Sequence, residues 1–458
     1  MNQIVDLSIK SINKEGFGKA VWTRPDGTTR DVVVPYSLPG EEVSACVLRS
    51  RRMPAKIESI IKTSPDRVTP CCRHFGACGG CRLQHMSDQA QSAFKKRAID
   101  TLFASYTSCI RPLISSPHTY MYRNKMEWSF SQDAKGQKFL GLILQGTRGR
   151  VENILECHLV DPWMTTGLKA IRAFWAASSL LAYNHNTNTG HLRTLAFRDS
   201  RRTGDRVIIL TVSANPDYPV KRHDLDAFVQ VCKGLQGSGT LTVILRIHQI
   251  VKGSPSQMYE MRLFGPDVFR EEFSVGGKVT EFHVSPSSFL QPNAFTASVI
   301  YNTALDLADL NESDVLYDLY AGIGVFGMCV AHRVKHVVSI ELNPDSAYDA
   351  KCNRDRLKLA NVELFEGDVG AVLESKTIEP ATCVFVDPPR TGLGKKVCAE
   401  IAAIGPKKLV YVSCNPVTQA EDVKELVALG FEVDAIQPID QFPQTVHVEN
   451  IVCLKQKI

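Results

Sequence analysis

The chain has 458 residues, of which 44% are hydrophobic and 22% charged, and a formal net charge of +5. Such a length exceeds one compact core and predicts about two to four domains, and the balanced composition excludes a disordered or fibrous chain. The opening MNQIVDLSIK has no apolar signal core, and no stretch approaches the roughly 18 uninterrupted apolar residues of a membrane helix. Fourteen cysteines then read as reduced thiols, metal ligands or catalytic groups of a cytoplasmic protein, rather than as disulfides.

In chain order, residues 1–62 show short strand-like runs and glycine-rich turns (IVDLSIKSI, GFGKAVWTRPDGTTRDVVV), the pattern of an OB-like β-barrel. Residues 49–100 hold eleven Lys/Arg against four acids, a net +7, with Arg49, Arg51 and Arg52 the densest run. A basic module on a balanced chain suits a polyanion such as RNA, and the alternative is a solvated basic face. Residues 63–286 read as a central mixed, β-rich α+β region. It begins with CCRHFGACGGCRLQH, continues as a helix from Ser87 to about Tyr106, and carries strands such as RVIILTVSA and TLTVILRIH. Residues 287–458 alternate strand and helix: VLYDLY, HVVSIEL, VELFEGD, CVFVDPP and LVYVSC predict a parallel sheet in a Rossmann-like α/β domain. FEVDAIQPI and HVENIVCLKQ, with no helix between them, predict a closing antiparallel pair.

Two of these strands end in chemistry. CVFVDPPRTGLG delivers Asp387 and LVYVSCNPVTQA delivers Cys414, and ligands of open α/β sheets sit at carboxyl ends of strands. A third strand ends in DLYAGIGVFG, whose Gly322 and Gly324 allow a tight turn and close approach of a ligand. The spacing differs from the dinucleotide pattern G-x-G-x-x-G. Glu341 ends the next strand, seventeen residues past Gly324, and Asp368 follows the one after. Each acid alone is explained by a solvated strand end or a helix cap. Glycine, acid and acid on three consecutive strand ends look like the S-adenosylmethionine site of a class I methyltransferase.

Cys72, Cys78 and Cys81 stand at C-x5-C-x2-C spacing in a glycine-rich loop. That is a metal-binding pattern, open to an iron–sulfur cluster or to zinc, with His74 or His85 as substitute ligands and Cys71 as an alternative.

The ordered set SFLQPN, DLYAGIG, DPPRTGLG, YVSCNPVTQA and HVENIV resembles the RNA (uracil-5-)-methyltransferase family. The N-terminal barrel resembles a TRAM domain, and CRHFGACGGC resembles the family's iron–sulfur motif. The resemblance implies S-adenosylmethionine binding by Gln291, Tyr320, Glu341, Asp368 and Asp387, a nucleophile at Cys414 and a general base at Glu449. It also implies a 4Fe–4S cluster with Cys157 as fourth ligand. For Glu449 the bland alternative is a surface glutamate, and for Phe289, a candidate base-stacking residue, a core aromatic. Two residues depart from the pattern: Ala321 replaces a usual cysteine, and Val325 stands where relatives often carry a polar residue touching the cofactor. The implied substrate is 23S rRNA acted on by a monomer. The rivals are a tRNA uridine and a catalytically degenerate RNA-binding protein.

Overall fold

The computed structural model describes residues 3–48, 55–147, 149–250, 256–286, 288–375 and 379–457. Arg49, Arg51 and Arg52 lie outside the described residues.

The apolar runs of the C-terminal part build a seven-stranded sheet in the order Val362–Glu366, His336–Glu341, Val315–Leu319, Cys383–Val386, Lys408–Ser413, Glu449–Gln456, Phe431–Ile439. The first five strands run parallel, and Glu449–Gln456 is antiparallel to both neighbours. Val315–Leu319 and Cys383–Val386 are buried from end to end, because helices cover both faces of a parallel sheet. The last strand does not add at the edge but inserts between Lys408–Ser413 and Phe431–Ile439. Its register pairs Ser413 with Asn450, so Cys414 and Glu449 leave the ladder at the same level.

The central part is a second seven-stranded sheet, with Leu192–Asp199 and Arg206–Ser213 near its middle. It is antiparallel except where Arg206–Ser213 runs parallel to Leu241–Gln249, a crossover made by the helix Arg222–Lys233. That helix and Pro162–Ala177 bury one face, with Trp128, Trp175, Phe197 and Phe228 in the core. The hairpin Phe269–Val275/Lys278–Val284 stands apart and sends Phe269, Phe273 and Phe282 into the core of the C-terminal sheet. At the N-terminus, two three-stranded antiparallel sheets share one core that includes Leu7, Val34 and Val43. Their ladders form two sheets rather than one continuous barrel sheet.

The helix predicted from Ser87 to about Tyr106 runs from Asp88 to Leu102, with the Ser87 hydroxyl accepting from the Ala90 N–H at 3.3 Å. It ends earlier than expected because Phe103 turns out of helical geometry and buries its ring in the C-terminal core. A 3₁₀ turn follows, and Ile110 and Ile114 then bridge in parallel to Ile436 and Ile439. This segment therefore covers the outer edge of the C-terminal sheet.

Candidate active site

The chain leaves Val315–Leu319 and Cys383–Val386 toward opposite sides of the sheet, which opens a crevice at their carboxyl ends. Tyr320 begins the glycine loop with left-handed backbone at φ 60, followed by Gly322 at φ 57 and Gly324 at φ 79. For tyrosine that conformation is strained, and the Ala321 N–H holds it by donating to the Ile340 carbonyl at 3.0 Å. The Glu341 carboxylate accepts from the Gly322 N–H at 2.8 Å and the Asn343 N–H at 2.6 Å. Two backbone donors fix it beneath the glycine loop, with acceptor capacity left over. Asp368 is exposed and accepts from the Ala371 N–H at 3.0 Å, so it does cap the helix Val369–Ser375. Asp318 opens the motif DLYAGIGVFG, and the sequence alone assigns it no role. It is 1% exposed, accepts from the Gly327 N–H at 2.9 Å, and is pushed by burial up to about 8. A Cβ on Gly327 would lie 2.8 Å from the Asp318 carboxylate, so this close approach needs glycine.

Across the crevice the polar groups form a continuous chain. The Gln291 Nε2 donates to the Asp387 carboxylate at 2.9 Å. The Gln441 Nε2 donates both to the Gln291 Oε1 at 2.8 Å and to the Glu449 carboxylate at 3.1 Å. Glu449 is 1% exposed, so the surface-glutamate alternative is overturned. Burial, then the Asp387 charge, raises its carboxyl well above the ordinary range. Burial also takes Asp387 up to about 7, against the restraining hydrogen bond from Gln291. Cys414 is half-buried, with its thiol raised to about 11 by burial and then by Glu449 and Asp387, while Arg390 pulls the other way. The Asn415 Nδ2 donates to the Arg390 carbonyl at 2.8 Å, tying the two motif loops together. Asp422, four residues past Thr418, accepts from the Leu393 and Gly394 N–H groups at 2.8 and 3.1 Å and from the Tyr411 hydroxyl at 2.7 Å.

Phe289 is 66% exposed, not a core aromatic. Its loop is held on both sides: Arg198 donates to the Pro286 and Ser288 carbonyls at 3.0 and 2.7 Å, and Asp349 accepts from the Ser285 N–H and the Ser288 hydroxyl, each at 2.7 Å. Leu290 takes the buried position instead, and the ring of Phe289 is left outside.

The sequence pattern of the tRNA (uracil-5-)-methyltransferase family matches residues 242–368 and 370–457. An uncharacterised RNA methyltransferase of Protochlamydia amoebophila is 43% identical over 441 residues, spanning 92% of this chain and 99% of that protein. The chain belongs to the RNA (uracil-5-)-methyltransferase family. An uncharacterised RNA methyltransferase of Caldanaerobacter subterraneus is 30% identical over 460 residues, spanning 99% of each chain. In fold, the protein is similar to the Pyrococcus abyssi tRNA (uracil-54, C5)-methyltransferase in complex with S-adenosyl-L-homocysteine, with a TM-score of 0.74, 23% identity and 99% of each chain covered.

In this methyltransferase, Val325 is 4% exposed and packs in the core of the sheet, which explains an apolar residue there. Cys72, Cys78, Cys81 and Cys157 line one cavity of about 100 Å³. Burial raises all four thiols, Cys81 to about 12, and each is raised further by one or more of the others. Among the described residues, however, no three His, Cys, Asp or Glu side chains are arranged to hold a metal ion. Of the substitute ligands, His74 spends its Nε2 accepting from the Leu155 N–H at 3.0 Å. His85 is packed against Tyr36 and Phe75. Among the described residues no helix is long and apolar enough to cross a membrane. Gln441 and Asp422 were invisible to sequence reasoning; the signal that could have raised them is a polar side chain amid apolar neighbours beside a motif.

Proposed function

We propose that this enzyme methylates carbon 5 of a uridine in 23S rRNA through a covalent Cys414 adduct, in the cytoplasm and as a monomer. The observation that carries the reading is the meeting of Cys414, Asp387 and Glu449 at adjoining strand ends, with Glu449 buried and Gln291 bonded to Asp387. The Cys414 thiolate adds to carbon 6, forming an S–C bond and moving the electron pair toward carbon 5. S-adenosylmethionine, when bound, supplies the electrophilic methyl group that carbon 5 takes. Glu341 and Asp368, on successive strand ends beside the glycine loop, offer acceptors for the cofactor's ribose and adenine, with Gln291, Tyr320 and Asp387 completing its site. Arg390 favours the thiolate against the burial that raises the thiol to about 11, and the positive sulfur of a bound cofactor would act in the same direction. Glu449 then takes the carbon-5 proton, and the freed electron pair expels the Cys414 thiolate. The base must be unpaired or flipped to reach this depth, and exposed Phe289 is available to stack on it.

Four thiols around one cavity are a donor set suited to a 4Fe–4S cluster. A single zinc would draw them to within about 2.3 Å of one point, and a cluster fills a wider space. In this reading Cys72, Cys78, Cys81 and Cys157 hold it as a structural tie. The N-terminal sheets act as a TRAM-like RNA-binding module over residues 1–62, followed by a central domain at 63–286 and the catalytic domain at 287–458. A tRNA uridine is the second reading, because the family pattern over residues 242–457 is named for tRNA.

RNA carrying 5-fluorouridine tests the chemistry, since fluorine cannot leave as a proton. Denaturation-resistant adduct should form with 23S rRNA fragments, fail in Cys414→Ala, and be much weaker with tRNA. Adduct that persists in Cys414→Ala defeats the nucleophile assignment, and stronger trapping by tRNA transfers the substrate to the second reading.

A further inference from the structure

We infer that Gln441 is a positioning residue whose one carboxamide both orients Gln291 toward Asp387 and favours the proton-accepting form of Glu449. The inference rests on Glu449 as the base of the proposed reaction. A carboxamide has two N–H donors on one side and an acceptor on the other. Gln441 uses both sides: its Nε2 donates to Gln291 at 2.8 Å and Glu449 at 3.1 Å, and its Oε1 accepts from the Thr296 hydroxyl at 3.3 Å. Turning the amide over would set an oxygen against both the Gln291 oxygen and the Glu449 carboxylate. With the Gln291 oxygen occupied in this way, its own Nε2 is left for Asp387 at 2.9 Å.

The backbone around Gln441 is held as firmly as its side chain. Its carbonyl accepts from the Asn293 Nδ2 at 2.9 Å. The preceding Asp440 accepts from the buried Lys95 ammonium at 2.6 Å, and that ammonium also donates to the Phe442 carbonyl at 2.9 Å. Three separate segments therefore fix one amide: the helix Asp88–Leu102, the cap Asn293 with its helix Ala294–Ala308, and the loop itself.

Glu449 needs such a donor. The titratable groups facing it are Asp387 and Cys414 from the neighbouring strand ends and Tyr301 from the helix Ala294–Ala308. Asp387 disfavours a second negative charge, and the thiol and phenol are neutral near pH 7. Burial disfavours the charge further. Among the described residues, the Gln441 N–H is the hydrogen-bond donor to this carboxylate, and a donor to the charged form favours that form.

The test uses Gln441→Met, which keeps the volume and removes both donors. The infrared carboxyl band of Glu449, assigned by its loss in Glu449→Gln, should titrate with a midpoint roughly one pH unit higher in Gln441→Met. Release of methylated RNA near neutral pH should fall about tenfold and recover as pH is raised, because one unit changes the ionised fraction about tenfold. Should the methionine variant fail to fold, the isosteric Gln441→Glu should titrate with Glu449 in two separated steps. An unmoved infrared midpoint in folded Gln441→Met, or a single unshifted step in Gln441→Glu, overturns the inference. A midpoint that rises while product release is unchanged upholds the positioning role and counts against Glu449 as the base.

Discussion

Individual side chains at this site are poised against their own chemistry. In the proposed reaction Cys414 would be a stronger nucleophile without Asp387 and Glu449 beside it, yet that reaction uses both carboxyls where they stand. Burial partly reconciles the conflict, because it lifts Asp387 to about 7 and Glu449 well above its ordinary range. A protonated carboxyl no longer repels the thiolate, and the same carboxyl must lose its proton before it can act as base. Glu449→Gln separates the two demands. Attack and methyl transfer should proceed, but the carbon-5 proton should stay in place, so methylated RNA bound to Cys414 should accumulate on denaturing gels. Loss of roughly 10²–10⁴-fold in turnover is the range for a general base. Turnover within twofold of the parent enzyme would assign proton removal to another group.

At the scale of elements, the catalytic sheet is completed by a segment far from it in sequence. The helix Asp88–Leu102 buries Lys95 fully against Asp440, one residue before Gln441, and Gln91 from the same helix donates to the Gln444 carboxamide at 3.0 Å. Tyr122 donates to the Pro443 carbonyl at 3.0 Å from another direction. The loop between the last two strands is thus clamped along its length, although it contains no regular structure. Lys95→Met should leave the Asp440 carboxylate buried and unpaired, at a cost of about 3–5 kcal/mol. Urea titration of the single variant against the double variant Lys95→Met/Asp440→Leu measures this. The double variant should regain most of the loss, and equal destabilisation of both would show that the helix contributes packing rather than a paired charge.

Over the whole molecule, the cysteine cavity joins the loop at residues 71–81 to Cys157 in the central part. Four half-buried thiols that raise one another are unfavourable as thiolates unless a cation is shared among them. Anaerobically purified protein should therefore be brown and contain iron and sulfide, and Cys78→Ser should lose both and melt at a lower temperature. Colourless protein with one zinc per chain would keep the ligands and discard the cluster. Catalysis at the proposed Cys414 site should depend on a bound cluster only through stability, because thiolate addition and methyl transfer involve no electron transfer.

Much of the catalytic part was legible in the sequence because its signals are local. An apolar run that stops at D-P-P or S-C-N-P marks a buried strand and its functional end within a dozen residues. Strand–helix alternation and the absent final crossover determined a parallel sheet with an antiparallel close. Glycine at Gly322 and Gly324 marked the tight loop, since both take positive φ. The tertiary structure decided what depends on contacts across the chain. Glu449 is buried because its strand enters the sheet interior, and Phe289 is exposed because Arg198 and Asp349 grip the loop around it. Gln441 meets a partner 150 residues away, and Lys95 meets one 345 residues away. Composition and periodicity report which face of an element is apolar, but which polar groups share a buried cavity is set by long-range packing. That packing, acting through desolvation and hydrogen bonds, decides which carboxyls, amides and thiols perturb one another.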